Sequence, residues 1–310
     1  MPIRIPDNLP ARKTLEEEGV NVMDSTRAAR QDIRPLEIGL LNLMPNKERT
    51  ETQFTRLIGS TPLQVDLTLV RVTEHQSKNT PEDYLKSFYS TWEEVRNRKF
   101  DGFIITGAPI ANIPFDAVRY WPEMLEIMDW TQTNVHHTMF ICWGAQAALH
   151  HFHGAKRYRL PSKAFGVFRH EVTATRSPFL RGFSDGPMIP VSRNNDIDRT
   201  TLGPDLEVLI DNPDIGVCMI GDEKHRAVYF MNHLEYDNRS LADEYDRDRA
   251  AGLDTPPPAN LYPHGDTAAT PENSWRSHAH LLFQNWINEI YQTTPYDMAN
   301  IGNSLAARSP

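Results

Sequence analysis

Cysteine is scarce here: two in 310 residues, too few for a disulfide framework in a chain of this size. Long apolar runs are missing too. No stretch approaches the roughly eighteen consecutive apolar residues that a membrane span needs. The opening "MPIRIPDNLPARKTLEEEG" has no hydrophobic core behind its basic residues, so no signal peptide is expected. Nor is there a basic excess: 32 Lys and Arg stand against 41 Asp and Glu, a net charge of −9. A nucleic-acid partner, which calls for a basic face, is not expected. An anionic substrate remains compatible, since a local pocket of positive charge suffices for one. There is no internal repeat, and no composition break marks a linker. The reading is a cytoplasmic protein of one domain over 1–310, with an irregular N-terminal arm and C-terminal tail.

The first half alternates strand and helix signals. "PLEIGLLNLM" (35–44) and "LQVDLTLVRV" (63–72) are short runs of Leu, Ile and Val, as in buried parallel strands. "NKERTETQFTRLIGS" between them predicts a helix, with Phe54, Leu57 and Ile58 on one face and Gly59 near its end. A helix is expected over 81–99, a strand with its exit loop over 100–109, a helix over 120–134 and a strand over 138–143. This order argues for an α/β fold, a mostly parallel sheet with helices on both faces. From about residue 160, "KAFGVFRHEV", "GPMIPVSR", "DLEVLIDN", "IGVCMIG" and "RAVYFMNH" continue the sheet with more antiparallel character. A helix over 240–252, a Pro-rich loop over 253–274 and a last helix over 275–292 complete the chain.

"FICWGAQAALHHFHG" (140–154) places Cys142 where a strand runs out and a helix begins. In open α/β sheets ligands sit at the carboxyl ends of strands. A sulfur there lies near free N–H groups and the positive end of a helix, which favours thiolate. Gly144 suits the sharp turn, and the pattern is that of a nucleophile elbow with cysteine for serine. Taken alone, the position also fits an inert buried cysteine, which is how Cys218 inside "IGVCMIG" reads. A nucleophile needs a base and an orienting group. In "YFMNHLEYD", His233 and Glu235 are two apart and so point to the same side of an extended chain, at another strand's carboxyl end. No further His or Cys lies at ligand spacing near His233, so no metal is expected there. His150, His151 and His153 read as a solvated cluster, and His278 and His280 as structural.

With Cys142, its turn and His233-x-Glu235 in view, the chain resembles the homoserine O-acyltransferases of the methionine-pathway type, which are built on the flavodoxin-like, class I glutamine-amidotransferase scaffold. The most specific stretches are "GLLNLMPNKERTETQ", "DGFIITGAP", "CWGAQAA", "KAFGV", "NHLEYD" and "WRSHAHLLFQNWINEIY". The resemblance implies Cys142 as the acyl-thioester nucleophile, His233 as proton acceptor and Glu235 as its orienting carboxylate. It implies substrate binding by Lys163, Ser192 and Arg247. The forked guanidinium of Arg247 suits the homoserine carboxylate. The chain departs from relatives after Ser192, where it reads "RNNDID", and the segment before His233 is about two residues shorter than in common relatives.

The same resemblance implies acyl transfer from acyl-CoA, as co-substrate, to L-homoserine, with no bound cofactor, no metal and a homodimeric state. The backbone N–H of Trp143 is one expected oxyanion donor; the other belongs to the "TGAP" loop or the first-strand loop. In such enzymes the residue shortly after "TGAP" goes with donor choice, Glu with acetyl-CoA and a very small residue with succinyl-CoA. Ala111 occupies that place in "TGAPIANIPF", so succinyl transfer is expected, acetyl transfer being the runner-up. A glutamine amidotransferase with the same triad and a non-catalytic binding module are the rival classes.

Overall fold

Short leucine-, isoleucine- and valine-rich runs, alternating with amphipathic helices, set the order of the fold. The computed structural model describes residues 3–6, 8–18, 22–23, 34–73 and 80–302; the tail beyond 302 lies outside the described residues. The chain enters through β1 (Ile3–Arg4), α1 (Ala11–Glu17) and β2 (Val22–Met23). There follow β3 (Leu36–Leu41), α2 (Lys47–Ile58), β4 (Val65–Arg71), α3 (Glu82–Phe88), β5 (Ser90–Thr91) and α4 (Trp92–Val95). Next come β6 (Phe100–Ile105), α5 (Trp121–Asn134), β7 (Val135–Ile141) and α6 (Trp143–His153). The second half adds β8 (Arg157–Arg169), β9 (Glu171–Val172), β10 (Met188–Ile197), β11 (Leu206–Asp211), β12 (Met219–Asp222) and β13 (Ala227–Phe230). Helices α7 (Ser240–Ala250) and α8 (Arg276–Thr293) close it.

One sheet runs in the order β2-β1-β4-β3-β6-β7-β13-β12-β11-β9, with β5 added on β4. Neighbours are parallel from β2 to β13, and β12, β11 and β9 are antiparallel. Successive strand residues face opposite sides. Leu40, Ile104 and Met139 therefore pack under α2 and α8 with Phe54, Trp286 and Ile290. Leu41, Ile105 and Phe140 pack under α5 and α6 with Met124, Met128 and Ala147. Each large apolar side chain fully removed from water stabilises the fold by about 1.5–3 kcal/mol. The chain moves from β3 to β4 on one side and then to β6 on the other. That reversal opens a crevice at the strands' carboxyl ends, where a doubly wound sheet binds ligands.

Two expectations are corrected. The helix over 81–99 is broken, because Tyr89 is extended (φ −113°, ψ 134°) and buries its ring. Its hydroxyl donates to Glu51 and accepts from Asn42 Nδ2 at 2.8 Å, so tertiary bonds override helix propensity there. Thr91 then restarts the helix with a capping box on Glu94. The run "KAFGVFRHEV" does not extend the large sheet: β8 pairs with β10, forming a separate antiparallel ribbon with an irregularity between Arg193 and Asn195, and Gly166 adds a bridge to Ala259. Only Glu171 and Val172 join the main sheet, through β11.

Candidate active site

The exits of β3, β6, β7 and β13 meet around Cys142. This residue adopts φ +50°, ψ −113°, a conformation an L-residue holds only under tertiary constraint. Its N–H donates to Phe230 O at 2.7 Å, and its carbonyl accepts from Gln146 N at 3.0 Å, which opens α6. From the sequence, Gly144 is the residue expected to take the unusual backbone angle. Cys142 itself carries it, and Gly144 is required for a different reason. A Cβ at Gly144 would lie 2.8 Å from Thr106 O and 3.0 Å from Ile105 O, so only glycine lets α6 approach the exit of β6. Gly107 passes equally close to Cys142: a Cβ there would stand 3.1 Å from its Cβ and 3.6 Å from its sulfur.

The structure brings His233 and Glu235 to this sulfur. His233 Nδ1 donates to Glu235 Oε1 at 2.6 Å, and the ring lies within electrostatic reach of the Cys142 sulfur. Both side chains are buried. Burial alone would lower the imidazole's proton affinity. The negative charges of Glu235 and Cys142, with hydrogen bonds to both, raise it well above the ordinary histidine value. The Tyr236 ring stacks on His233, centroids 4.3 Å apart and planes 15° from parallel. His233 N–H donates to Pro190 O at 3.0 Å. Just before it, Asn232 is held by Arg193 Nη1 at 2.8 Å and by the His170 ring at 3.0 Å.

Lys163, Ser192 and Arg247 also converge, on a residue that sequence reasoning missed. Glu244 Oε1 accepts from Lys163 Nζ at 2.8 Å and from Ser192 Oγ at 2.6 Å, with Arg247 Nη2 at 3.7 Å. Asp248 takes a second bond from Lys163 at 3.0 Å and one from Arg247 at 2.7 Å. The Arg247 side chain is two-thirds exposed, at 67%. Ser192 lies two residues beyond Pro190, whose carbonyl holds the His233 N–H, so β10 joins the charged cluster to His233. Glu244 lies one helical turn before Asp248 in α7, spacing that could have flagged a paired acidic face.

Ala111 lies in the loop after β6. Its carbonyl accepts from Asn195 Nδ2, while Asn195 O accepts from Gln146 Nε2 of α6 at 3.2 Å. The departure "RNNDID" thus supplies the group that holds the Ala111 loop. Of the two loops offered for a second oxyanion donor, the first-strand loop has committed N–H groups: Leu43 donates to Thr106 Oγ1 at 2.8 Å and Met44 to Asn42 Oδ1 at 3.1 Å. The backbone of Gly107 is the nearer candidate, a Cβ there lying 3.7 Å from Trp143 N.

Three further residues give the stretch "NKERTETQ" a physical role. Arg49 bonds Asp237 and Asp243 at 2.8 Å each, and Gln53, one turn on, bonds Ser240 Oγ at 2.9 Å. They clamp α2 onto the segment that follows Glu235. Lys47 donates to Asn42 O from a buried position, and burial lowers its ammonium to about 8 against the pull of Glu51. A cavity of about 800 Å³ lies behind Glu235, lined by Arg56, Trp275, Arg276 and His280 among others. Cys142 does not line it.

A family profile described as homoserine O-succinyltransferase matches residues 2–296. A homoserine O-succinyltransferase of Pelagibacterium halotolerans is 74% identical over 97% of this chain and 99% of its own length. Homoserine O-acetyltransferases of Rhizobium johnstonii and Rhizorhabdus wittichii are 58% and 59% identical over 98% and 97% of this chain, covering 100% and 95% of their own. Among solved structures, a glutamine amidotransferase of Thermotoga maritima covers 84% of this chain and 100% of its own with a TM-score of 0.52 at 11% identity. One from Methylobacillus flagellatus covers 83% and 95% with a TM-score of 0.52 at 12% identity. Those likenesses establish the expected glutamine-amidotransferase-like α/β fold, and the sequence relatives establish that the chain belongs to the homoserine O-succinyltransferase family.

Proposed function

We propose that the protein transfers an acyl group, with succinyl-CoA as donor, to the hydroxyl of L-homoserine through a thioester on Cys142. The observation that carries the reading is the strained Cys142 beside a His233 that Glu235 orients. In the first half-reaction the Cys142 thiolate adds to the thioester carbonyl. Collapse of the oxyanion breaks the carbon–sulfur bond to CoA, and the CoA thiolate takes the proton from the His233 imidazolium. In the second, neutral His233 accepts the homoserine hydroxyl proton while that oxygen adds to the acyl carbon. Expulsion of the Cys142 thiolate restores the ion pair and releases O-acylhomoserine. The N–H of Trp143 and the Gly107 backbone are the oxyanion donors in this scheme, because they border the sulfur.

The charged cluster suits an amino acid. Arg247 and Lys163 offer cations to a carboxylate, Ser192 offers a hydroxyl, and Glu244 offers a carboxylate to the ammonium group. No cofactor is assigned at the reacting centre. One acyltransferase domain over 1–310, a homodimer and a cytoplasmic location belong to the same proposal. Acetyl-CoA is the alternative donor, favoured by the names of the relatives at 58% and 59% identity. The deciding experiment mixes enzyme with acyl-CoA alone and looks for an acyl adduct on Cys142 by mass spectrometry, then adds homoserine. An adduct that homoserine discharges is expected. Glutamine hydrolysis with no adduct would replace this reading by the amidotransferase one.

A further inference from the structure

The far end of the sheet carries a second cluster of titratable groups with no part in acyl transfer. Asp222 ends β12, His225 sits in the following turn, and His153 is the last residue of α6. His153 Nε2 and His225 Nδ1 approach the same oxygen, Asp222 Oδ2, at 2.6 and 2.8 Å, and Tyr229 OH reaches it too at 2.8 Å. The ligand-competent atoms of the three residues all lie within 4.8 Å of one another.

We propose that His153, Asp222 and His225 bind a zinc ion that staples the C-terminal end of α6 to the β12–β13 turn. Three groups crowd one carboxylate oxygen, which has two lone pairs to offer. A cation between the two ring nitrogens replaces their protons and removes that excess. The donor set selects the metal. Two imidazoles and one carboxylate suit zinc, with Zn–N bonds of about 2.0–2.1 Å, and leave a fourth position for water. Calcium and magnesium call for oxygen ligands instead. His225 is 15% exposed, which leaves water an approach, whereas the Asp222 side chain is wholly buried.

The surroundings orient the ligands as an outer shell does. Asp222 Oδ1 accepts the main-chain N–H of His225 at 3.0 Å, fixing the carboxylate plane. The His225 ring stacks on Phe152 with centroids 4.6 Å apart, and the His153 ring meets Tyr229 edge-on. The neighbouring histidines are committed elsewhere: His151 bonds Asp129 at 2.7 Å and His150 stacks on Phe115. The position has a consequence for the triad. Helix α6 begins directly after Cys142, and β13 ends three residues before His233, so the ion would tie together the far ends of the elements that position the proposed nucleophile and base.

The test uses the full chain bearing Cys142→Ala, so that the active-site thiolate does not compete for metal. Metal-free protein is titrated with zinc chloride by calorimetry, and its thermal unfolding is followed with zinc, with magnesium and with EDTA. One zinc per chain is expected, with a Tm that zinc raises, EDTA restores and magnesium leaves unchanged. Adding His225→Ala or His153→Gln is expected to weaken zinc binding by at least about 100-fold, beyond the roughly 10- to 100-fold cost of losing an outer-shell partner. Absence of saturable zinc binding would overturn the proposal, as would unchanged affinity in both histidine variants. The conservative His153→Gln keeps the question answerable if His225→Ala does not fold.

Discussion

Cys142 and Cys218 lie on either side of β13, at the end of β7 and just before β12, and the same thiol is turned to opposite ends. Cys218 is wholly buried; burial pushes its thiol far up, so it stays protonated. Its carbonyl accepts Met231 N–H at 2.7 Å and its N–H donates to Ile210 O at 3.0 Å, making it a pin between strands. Cys142 is partly exposed, holds a positive φ and faces an imidazole that carries extra proton affinity. Residue type does not separate them. Their places along the strands do, because only a carboxyl end frees backbone for an elbow and opens onto a crevice.

The widest separation is expected from removing each sulfur in turn. Cys142→Ala should lower kcat by roughly four to six orders of magnitude, as loss of a covalent nucleophile does. Cys218→Ala should keep turnover and cost about 1 kcal/mol of stability, measured by urea unfolding. Comparable losses of turnover in both variants would erase the contrast.

Glu235 makes His233 different from an ordinary buried histidine, and Glu235→Gln tests that. Turnover should fall by about 10²- to 10⁴-fold with little change in KM, since orientation matters mainly in the transition state. The pH profile is a second readout. A raised folded-state value means that His233 stabilises the fold fully below its unfolded value of about 6.5, and that this contribution is lost as pH rises through the raised folded value. The alkaline limb of the acylation rate should therefore lie above the ordinary histidine range and move down in Glu235→Gln. An unmoved limb would remove Glu235 from its orienting role.

Gly144→Ala probes the elbow's geometry without touching a reacting group. The added methyl meets Thr106 O at 2.8 Å, so α6 must shift or strain. A loss of about 1–3 kcal/mol is expected. Turnover should fall by about 10- to 100-fold, because displacing the nucleophile by an ångström is enough for that. The equivalent change at Gly203, where a Cβ meets nothing within 4 Å, should be silent.

Much of this was legible from local pattern. The parallel strands, the elbow and the His-x-Glu pair come from apolar runs, one cysteine at a strand exit and period-two spacing, all properties of neighbouring residues. Tyr89 was not legible, because its break depends on Glu51 and Asn42 far along the chain. Glu244 was hidden as well: in "DEYDRD" nothing distinguishes the acid that meets Lys163 and Ser192 from those facing water. His153 read as solvated because its partners, Asp222 and His225, are about seventy residues away. Gly144 marks the turn in the sequence, but the sequence does not say which residue at an elbow takes the strained angle.

The last effect expected is on donor choice, where neighbours again decide what an ordinary residue does. Ala111 brings no bulk and no charge, and Asn195 fixes its carbonyl while reaching α6 through Gln146. With alanine there, a succinyl group keeps its free carboxylate without facing a like charge. Ala111→Glu places an anion against that carboxylate in a partly desolvated loop. The succinyl-to-acetyl ratio of kcat/KM should then fall by about 10- to 100-fold, the range that one repulsive contact gives when solvent screens part of it. Asn195→Ala separates position from charge. It adds no anion but releases a carbonyl whose lost bond costs about 1 kcal/mol, so the ratio should move by roughly fivefold at most. A ratio that Ala111→Glu leaves unchanged would mean that the donor is read elsewhere. A larger change from Asn195→Ala than from Ala111→Glu would mean that the loop's placement, and not the charge of its side chain, selects the acyl group that reaches Cys142.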